Sequence, residues 1–467
     1  MDASKKTRIE QDAMGDMNVP VDAYYGAQTQ RAVQNFPISA HRMPRLMIQA
    51  LGEIKRAAAM VTGKHGWVKA EQAQAIVKAA QEVSEGKYDD HFVVDVYQTG
   101  SGTSSNMNAN EVIANRASEI LGQPVGSKYV HPNDHVNFGQ SSNDVFPTAM
   151  HLSTLKAFQD ELIPVLIELQ TAFSQKAQDF DHMIKIGRTH LQDATPVRVG
   201  QVFGGFAYQI QQAVERLQYA CQSLRELPLG GTAVGTGINR PEAMTAQVIA
   251  EIAKRMDLDV IETPNHFASQ GAKDAMVHAS SSLKELATSL MKIANDVRFL
   301  GSGPRCGLGE FILPATQPGS SIMPGKVNPV IAESLMMICA QVIGYDVTVS
   351  LCNQAGNFEL NVMMPAMIYS VLESSSILAK GVKNFNDRCI QGIQVDEEKC
   401  KDYIEQSMAM VTSLAPIIGY DKASQISKEA HKTGRTVREL CQEQAILPED
   451  ELSKVLDPMS MTQPNPS

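Results

Sequence analysis

Residues 319–329 concentrate reactive side chains in one short stretch. Ser320, Ser321, Lys326 and Asn328 bring two hydroxyls, a cation and an amide together, with little apolar bulk to bury them. Gly319 and Gly325 free the backbone, and Asn328-Pro329 reads as an N-cap followed by Pro at the first helical position. The expectation is a mobile loop feeding a helix. A phosphate-binding P-loop is excluded: five residues rather than four separate Gly319 from Gly325, and Val327, not Ser or Thr, follows Lys326. The plain alternative is an ordinary Ser/Gly surface loop.

Three other stretches share this chemistry. Ser101 to Asn108 is rich in hydroxyls and amides, with a helix start expected near Ser105 that would aim backbone N–H groups at an anion. His131 to Asn143 is similar, and Thr189-His190 lies in the polar stretch Gly187 to Pro196. Such groups donate hydrogen bonds to carboxylates. Gathered in space, they would hold a small dianion. His190 adds a group that exchanges protons near neutral pH.

Long helices must position these stretches. Apolar residues fall at helical spacing over Leu155–Phe173, Phe203–Leu224 and Met276–Leu300, and further apolar runs follow at 331–349 and 362–378. Five long helices in a row predict a bundle, with their Met and Phe residues as core. Earlier helices are expected over 46–61 and 70–85, after a mixed, irregular segment over 1–40. No alternating pattern rivals the helical one. The chain divides into residues 1–139, a central long-helix part 140–395, and a small helical C-terminal part 396–467 whose last residues, from Met459, read as a frayed tail. The Gly-rich stretch 230–239 does not fit G-x-G-x-x-G and follows no clear strand, so no dinucleotide site is expected.

Composition narrows the classes. A net charge of −10 argues against nucleic-acid and anionic-membrane binding. The seven cysteines, at 221, 306, 339, 352, 389, 400 and 441, form no C-x-x-C pair. Reduced thiols in a cytoplasmic protein fit them better than a disulfide framework. Positions 1–14 carry no apolar signal segment, and no run is expected to cross a membrane. Nothing shows metal-ligand spacing, and no metal or cofactor is expected.

The 319–328 stretch resembles the signature loop of the fumarase/aspartase superfamily, G-S-x-x-M-x-x-K-x-N, through Gly319, Ser320, Met323, Lys326 and Asn328. From about Arg8 to Lys454 the chain resembles class II, iron-independent fumarases. The matches include Tyr24 to Arg31, Thr99 to Thr103, His131 to Asp134, Gln140 to Asp144, Gly187 to Pro196 and Gly231 to Asn239. Ser104 departs from the family, which often has Gln there. Aspartate ammonia-lyases typically carry Gln where this chain has His190, and Q-S-T-N-D where it has Gln140-Ser141-Ser142-Asn143-Asp144, so both details favour fumarase.

The resemblance implies a mainly α, three-domain fold whose long helices form the core of a homotetramer, with each active site shared between three subunits. It implies reversible interconversion of fumarate and (S)-malate. It assigns proton abstraction to Ser320, charge stabilisation to Lys326 and Asn328, and water handling to His190 paired with Glu333. Ser101, Gly102, Thr103, Ser141, Ser142, Asn143, Thr189 and Ser321 would bind the dicarboxylate, with Lys326 and Asn328. His131, Pro132, Asn133 and Asp134 match a second dicarboxylate site without a catalytic role. His135 and His182 carry no matched role. The rivals are an aspartate ammonia-lyase and a non-catalytic helical scaffold, the latter disfavoured because every matched position is intact.

Overall fold

A computed structural model describes residues 6–464. In chain order, its first elements are β1 (Thr7–Asp12), β2 (Gly15–Pro20), α1 (Ala27–Asn35), α2 (Arg45–Lys64), α3 (Ala70–Ser84), α4 (Thr103–Ile120) and α5 (Ser142–Lys156). A widened turn, Ala157–Leu162, continues α5 into α6 (Ile163–Asp179). Next come β3 (Ile184–Thr189), β4 (Gln192–Arg198), α7 (Val199–Leu224), β5 (Glu226–Leu227), α8 (Met244–Met256), β6 (Ile261–Glu262) and α9 (His266–Gly271). The remaining long elements are α10 (Asp274–Leu300), β7 (Phe311–Ile312), α11 (Val330–Gln354), α12 (Met364–Phe385), β8 (Gln394–Val395) and α13 (Glu397–Gln406). Short helices follow as far as Pro458–Thr462. The fold is mainly α, and the predicted long helices are all present.

The chain forms two compact units, each discontinuous in sequence. The first comprises residues 1–164, 215–287 and 340–379. In it α2 presents Met47, Leu51, Ile54, Ala58 and Val61 as a fully buried stripe at helical spacing, packed on α3, α5 and α8. Gly66 and Gly86, both at positive φ, follow the C-terminal ends of α2 and α3. The second unit comprises 165–214, 288–339 and 380–467. Its core holds a cluster of rings from Phe173, Phe180, Phe203, Phe206 and Phe311. A satellite core of Ile404, Leu414, Ile426, Leu440 and Leu452 holds the C-terminal helices together.

Four expectations need correction. Residues 7–20 form an antiparallel hairpin rather than an irregular segment. Arg8 fastens it by donating to the carbonyls of Pro20 and Tyr25 at 2.8 and 2.9 Å. A second hairpin, β3–β4, lies where only a polar connector was expected. Its register shifts between Ile186 and Arg188, and that bulge breaks the two-residue alternation by which a strand is read. The end of the chain is structured as far as 464. Thr462 is buried and its carbonyl accepts from Gln201 Nε2 at 2.9 Å, while residues 465–467 lie outside the described residues. Finally, α11 is long and apolar enough, by length and composition, to cross a membrane. Its apolar residues run around the whole circumference, yet only 33% of its most apolar stretch is buried within the chain.

Candidate active site

In the first unit, two helix N-termini carry the predicted carboxylate-binding residues. Gly102 precedes α4 at φ 73°, and a Cβ there would lie 2.2 Å from the Phe146 ring, so only glycine fits. Gly100 is equally constrained: a Cβ would sit 1.6 Å from the Val362 carbonyl oxygen. Its own carbonyl accepts the Met364 N–H at 3.0 Å. These close approaches shape the turn that delivers Ser101 and Thr103. The α4 helix starts at Thr103, two residues before the predicted start.

At α5, Ser141 is the N-cap of a capping box. Its hydroxyl accepts from Asn143 N at 3.2 Å, and Asp144 Oδ1 accepts from Ser141 N at 2.9 Å. The other Asp144 oxygen accepts from Gly230 N at 2.9 Å and Thr232 N at 3.0 Å. Asn143 Nδ2 donates to Ala233 O at 2.8 Å. The Gly-rich stretch therefore buttresses the start of α5.

The two N-termini meet through hydroxyls. Ser101 Oγ lies 2.7 Å from Thr103 Oγ1, which lies 2.7 Å from Ser142 Oγ. This brings together three of the predicted binding residues. Ser104, the departure from the family, turns aside to pair with Thr99 Oγ1 at 2.9 Å. The line of hydroxyls stays intact beside it.

His131 to Asp134 form the start of a wide turn over Pro132–Val136. His131 Nδ1 accepts from Asn133 N at 3.2 Å and Asp134 N at 3.1 Å. His131 Nδ1 also lies 3.3 Å from Asp134 Oδ2. A cavity of about 250 Å³ adjoins this turn, lined by Glu10, Asp12, Glu111, Lys128, His131 and Asn133 among others. Its acids are already committed: Glu10 to Arg8, Asp12 to Arg31, and Glu111 to the N–H groups of Gly26, Gln28 and Thr29. His135 Nδ1 accepts the His131 N–H at 2.9 Å, and burial lowers the pKa of its imidazole.

The second unit holds the remaining predicted residues. Thr189 and Gln192 pair across the β3–β4 hairpin, leaving His190 and Leu191 as its two-residue tip. Both have positive φ, 57° and 61°, as a type I′ turn requires. Asn and Gly are the usual occupants of such a turn. A histidine and a leucine held there mark a strained, exposed tip, the kind of strain that clusters at functional sites. Strand β3 is anchored by the fully buried Glu310, which accepts from Arg188 Nη1 at 2.8 Å and lies 3.5 Å from Lys185 Nζ.

The 319–328 loop is closed by its own polar groups. Gly319 N donates to Lys326 O at 2.7 Å, and Asn328 Nδ2 donates to Gly319 O at 2.8 Å. Lys326 Nζ donates to Asn328 Oδ1 at 2.7 Å. Asn328 is thus a loop clasp rather than the expected helix cap: α11 starts at Val330, and the Pro329 carbonyl accepts from Glu333 N. Ser320 Oγ accepts from Ile322 N at 3.2 Å and Met323 N at 3.0 Å. Two N–H donors on that oxygen favour its anionic form. Ser321 and Lys326 are exposed. Glu333 sits in the first turn of α11. Among the described residues, no hydrogen bond or ion pair joins Glu333 to His190 within the chain.

Three supporting residues were not predicted: Lys55, Asn137 and Glu310. A signal existed for the first. Lys55 lies on the α2 stripe with Leu51, Ala58, Ala59 and Thr62, where a charge is out of place. Among the described residues, no group of three or more His, Cys, Asp or Glu is arranged to hold a metal ion.

Comparison with known proteins accords with this geometry. The model of a lyase family matches residues 15–344, and that of the fumarase C C-terminus matches 410–463. A class II fumarate hydratase of Ralstonia nicotianae is 52% identical over 93% of this chain and 94% of its own length. The mitochondrial fumarate hydratase of Saccharomyces cerevisiae is 47% identical over 98% of this chain and 94% of its own. The crystal structure of class II fumarase from Schistosoma mansoni superposes with a TM-score of 0.95 at 39% identity, covering 99% of this chain and all of the other. Family models, near-full-length relatives and fold agree, and the chain belongs to the lyase family as a member of its class II fumarate hydratase branch.

Proposed function

We propose that the protein interconverts fumarate and (S)-malate by reversible addition of water, as its relatives' names imply for them. The observation that carries this reading is the line of hydroxyls from Ser101 through Thr103 to Ser142, set at two helix N-termini. It offers hydrogen-bond donors and positive dipole ends to a carboxylate, and stands beside the Ser141–Asn143 cap.

Dehydration begins with loss of a C3 proton beside a carboxylate, which builds up a dianionic aci-carboxylate. Ser320 is the base in this reading. Its hydroxyl proton is first released to solvent, and two loop N–H groups then stabilise the alkoxide that takes the substrate proton. Lys326, oriented by Asn328, offsets the charge that develops. His190 then gives a proton to the departing C2 hydroxyl, and Glu333 orients the imidazole. Ser101, Thr103, Ser141, Ser142, Asn143, Thr189 and Ser321 bind the substrate carboxylates.

The absence of a His190–Glu333 contact within one chain supports a site assembled from several copies. So does α11, whose Met337, Val347 and Leu351 are 69%, 56% and 55% exposed. An apolar helix covered only in part by its own chain suits a subunit interface. A homotetramer with sites shared between three subunits fits both observations. The three-part division at residues 139 and 395 and a cytoplasmic location belong to the same reading, as does a second dicarboxylate site at His131–Asp134.

The test is direct. Chelator-treated protein is mixed with (S)-malate and the absorbance of the forming C=C bond is followed, while aspartate is offered in parallel and ammonia assayed. Fumarate from malate and none from aspartate is the expected result. Ammonia from aspartate alone would overturn the role given to His190. Turnover of neither would overturn the activity.

A further inference from the structure

A buried lysine stands behind the carboxylate-binding edge. Lys55 lies mid-helix in α2 and is fully buried. Its Nζ donates to Asn137 Oδ1 at 2.7 Å and to Gln140 Oε1 at 3.0 Å. Among the described residues it forms no ion pair within 4 Å; the charge acting on it is that of Asp144, also fully buried. Burial pushes its ammonium down to about 7. Placing a lysine head here costs stability, and an apolar residue would fill α2's stripe without that cost.

The partners of Lys55 explain the placement. Gln140 directly precedes Ser141, Ser142 and Asn143. Asn137 ends the wide turn that starts at His131, and its Nδ2 donates to Gln140 O at 3.0 Å. Asn106, one turn into α4, donates Nδ2 to the same Asn137 Oδ1 at 3.3 Å. So one buried lysine head fixes Asn137 and Gln140, and through them ties the start of α4 to the start of α5. Those two starts carry Thr103 and Ser142, whose hydroxyls must stay 2.7 Å apart.

We infer that Lys55 is a positioning residue for substrate carboxylate binding: through Asn137 and Gln140 it holds the N-termini of α4 and α5 in register, without touching the substrate. This rests on the reading that Ser101, Thr103 and Ser142 bind the dicarboxylate. Loss of the ammonium leaves α2 packed but frees the 137–140 segment to drift.

The experiment compares wild type, K55M, K55R, Q140L and the double variant K55M/Q140L in malate dehydration, with thermal unfolding as the control for folding. K55M keeps the volume of the stem and removes the donors. Its KM for malate is expected to rise about tenfold or more with kcat changed less than threefold. K55R restores part of the loss. Q140L shows the same split, and the double variant is no worse than the weaker single one, because both act through one hydrogen bond. An unchanged KM in folded K55M, or additive effects in the double variant, overturns the inference. Should K55M fail to fold, Q140L alone decides: an unchanged KM there also overturns it. Wild-type inactivity on malate would be failure of the underlying reading, a separate result.

Discussion

The two halves of the proposed site are built on opposite plans. The hydroxyl line of Ser101, Thr103 and Ser142 sits on helix N-termini, braced by buried Asp144 and Lys55, and its members hydrogen-bond one another. The 319–328 loop and the His190 tip sit on exposed turns. Among the described residues, the side chains of Ser320, Lys326 and Asn328 hydrogen-bond within their own loop. In the proposed reading the first region is organised before substrate arrives, and the second is completed by substrate and neighbouring copies. Binding needs fixed donors. Proton transfer needs groups that close over the substrate and open for release.

The sharpest way to break this division is to remove the base. S320A should lower kcat about a thousandfold while KM changes little, within the range expected for general-base loss. Activity above a tenth of wild type would move the base elsewhere. Removing a cradle hydroxyl should do the reverse. T103A or S142A should raise KM for malate about tenfold, since one hydrogen bond to a charged group contributes roughly 1.5–3 kcal/mol. A pure kcat effect would put the cradle in the chemistry instead.

The mobility contrast is testable by proteolysis. Cleavage near Lys326 should slow severalfold with saturating dicarboxylate, whereas sites around 101–144 should resist with and without it. Equal cleavage near Lys326 in both conditions would contradict closure of the loop. A smaller effect probes the buried brace. Folded Lys55 releases its proton near pH 7, whereas in the unfolded chain it keeps that proton to about pH 10.4. Between those limits the unfolded chain binds more protons, so this group's contribution makes folding more favourable as pH rises. The unfolding free energy of wild type minus that of K55M should therefore increase from pH 7 to 9, by at most about 1.4 kcal/mol per unit. A flat difference would mean Lys55 is not desolvated as the fold implies.

The long helices were legible because Phe203, Ile210, Leu217 and Leu224 keep their spacing over whole turns. The polar stretches were legible by composition, and the resemblance assigned their roles. Less was legible where tertiary structure overrides local pattern. The bulge near Gly187 hid the hairpin that presents His190. Asn328, in a sequence context that signals a cap, instead closes a loop with Lys326 and Gly319. Lys55 stands out as a charge on the apolar stripe of α2, but its partners lie 82 and 85 residues away, so local pattern could not name them. α11 reads as core, but its own chain covers only part of it.

Completion of the chemistry between copies of the chain, as proposed, is open to a direct test. The direct test mixes two inactive variants, H190Q and S320A, unfolds and refolds them together, and measures malate dehydration. If each site takes His190 from one copy and Ser320 from another, random mixing leaves about one site in four intact, the product of two chances of one half. Recovery of about a quarter of wild-type activity is the expected result. A mixture no more active than its parents, with mixed oligomers formed, would show that one chain supplies both residues and would contradict it.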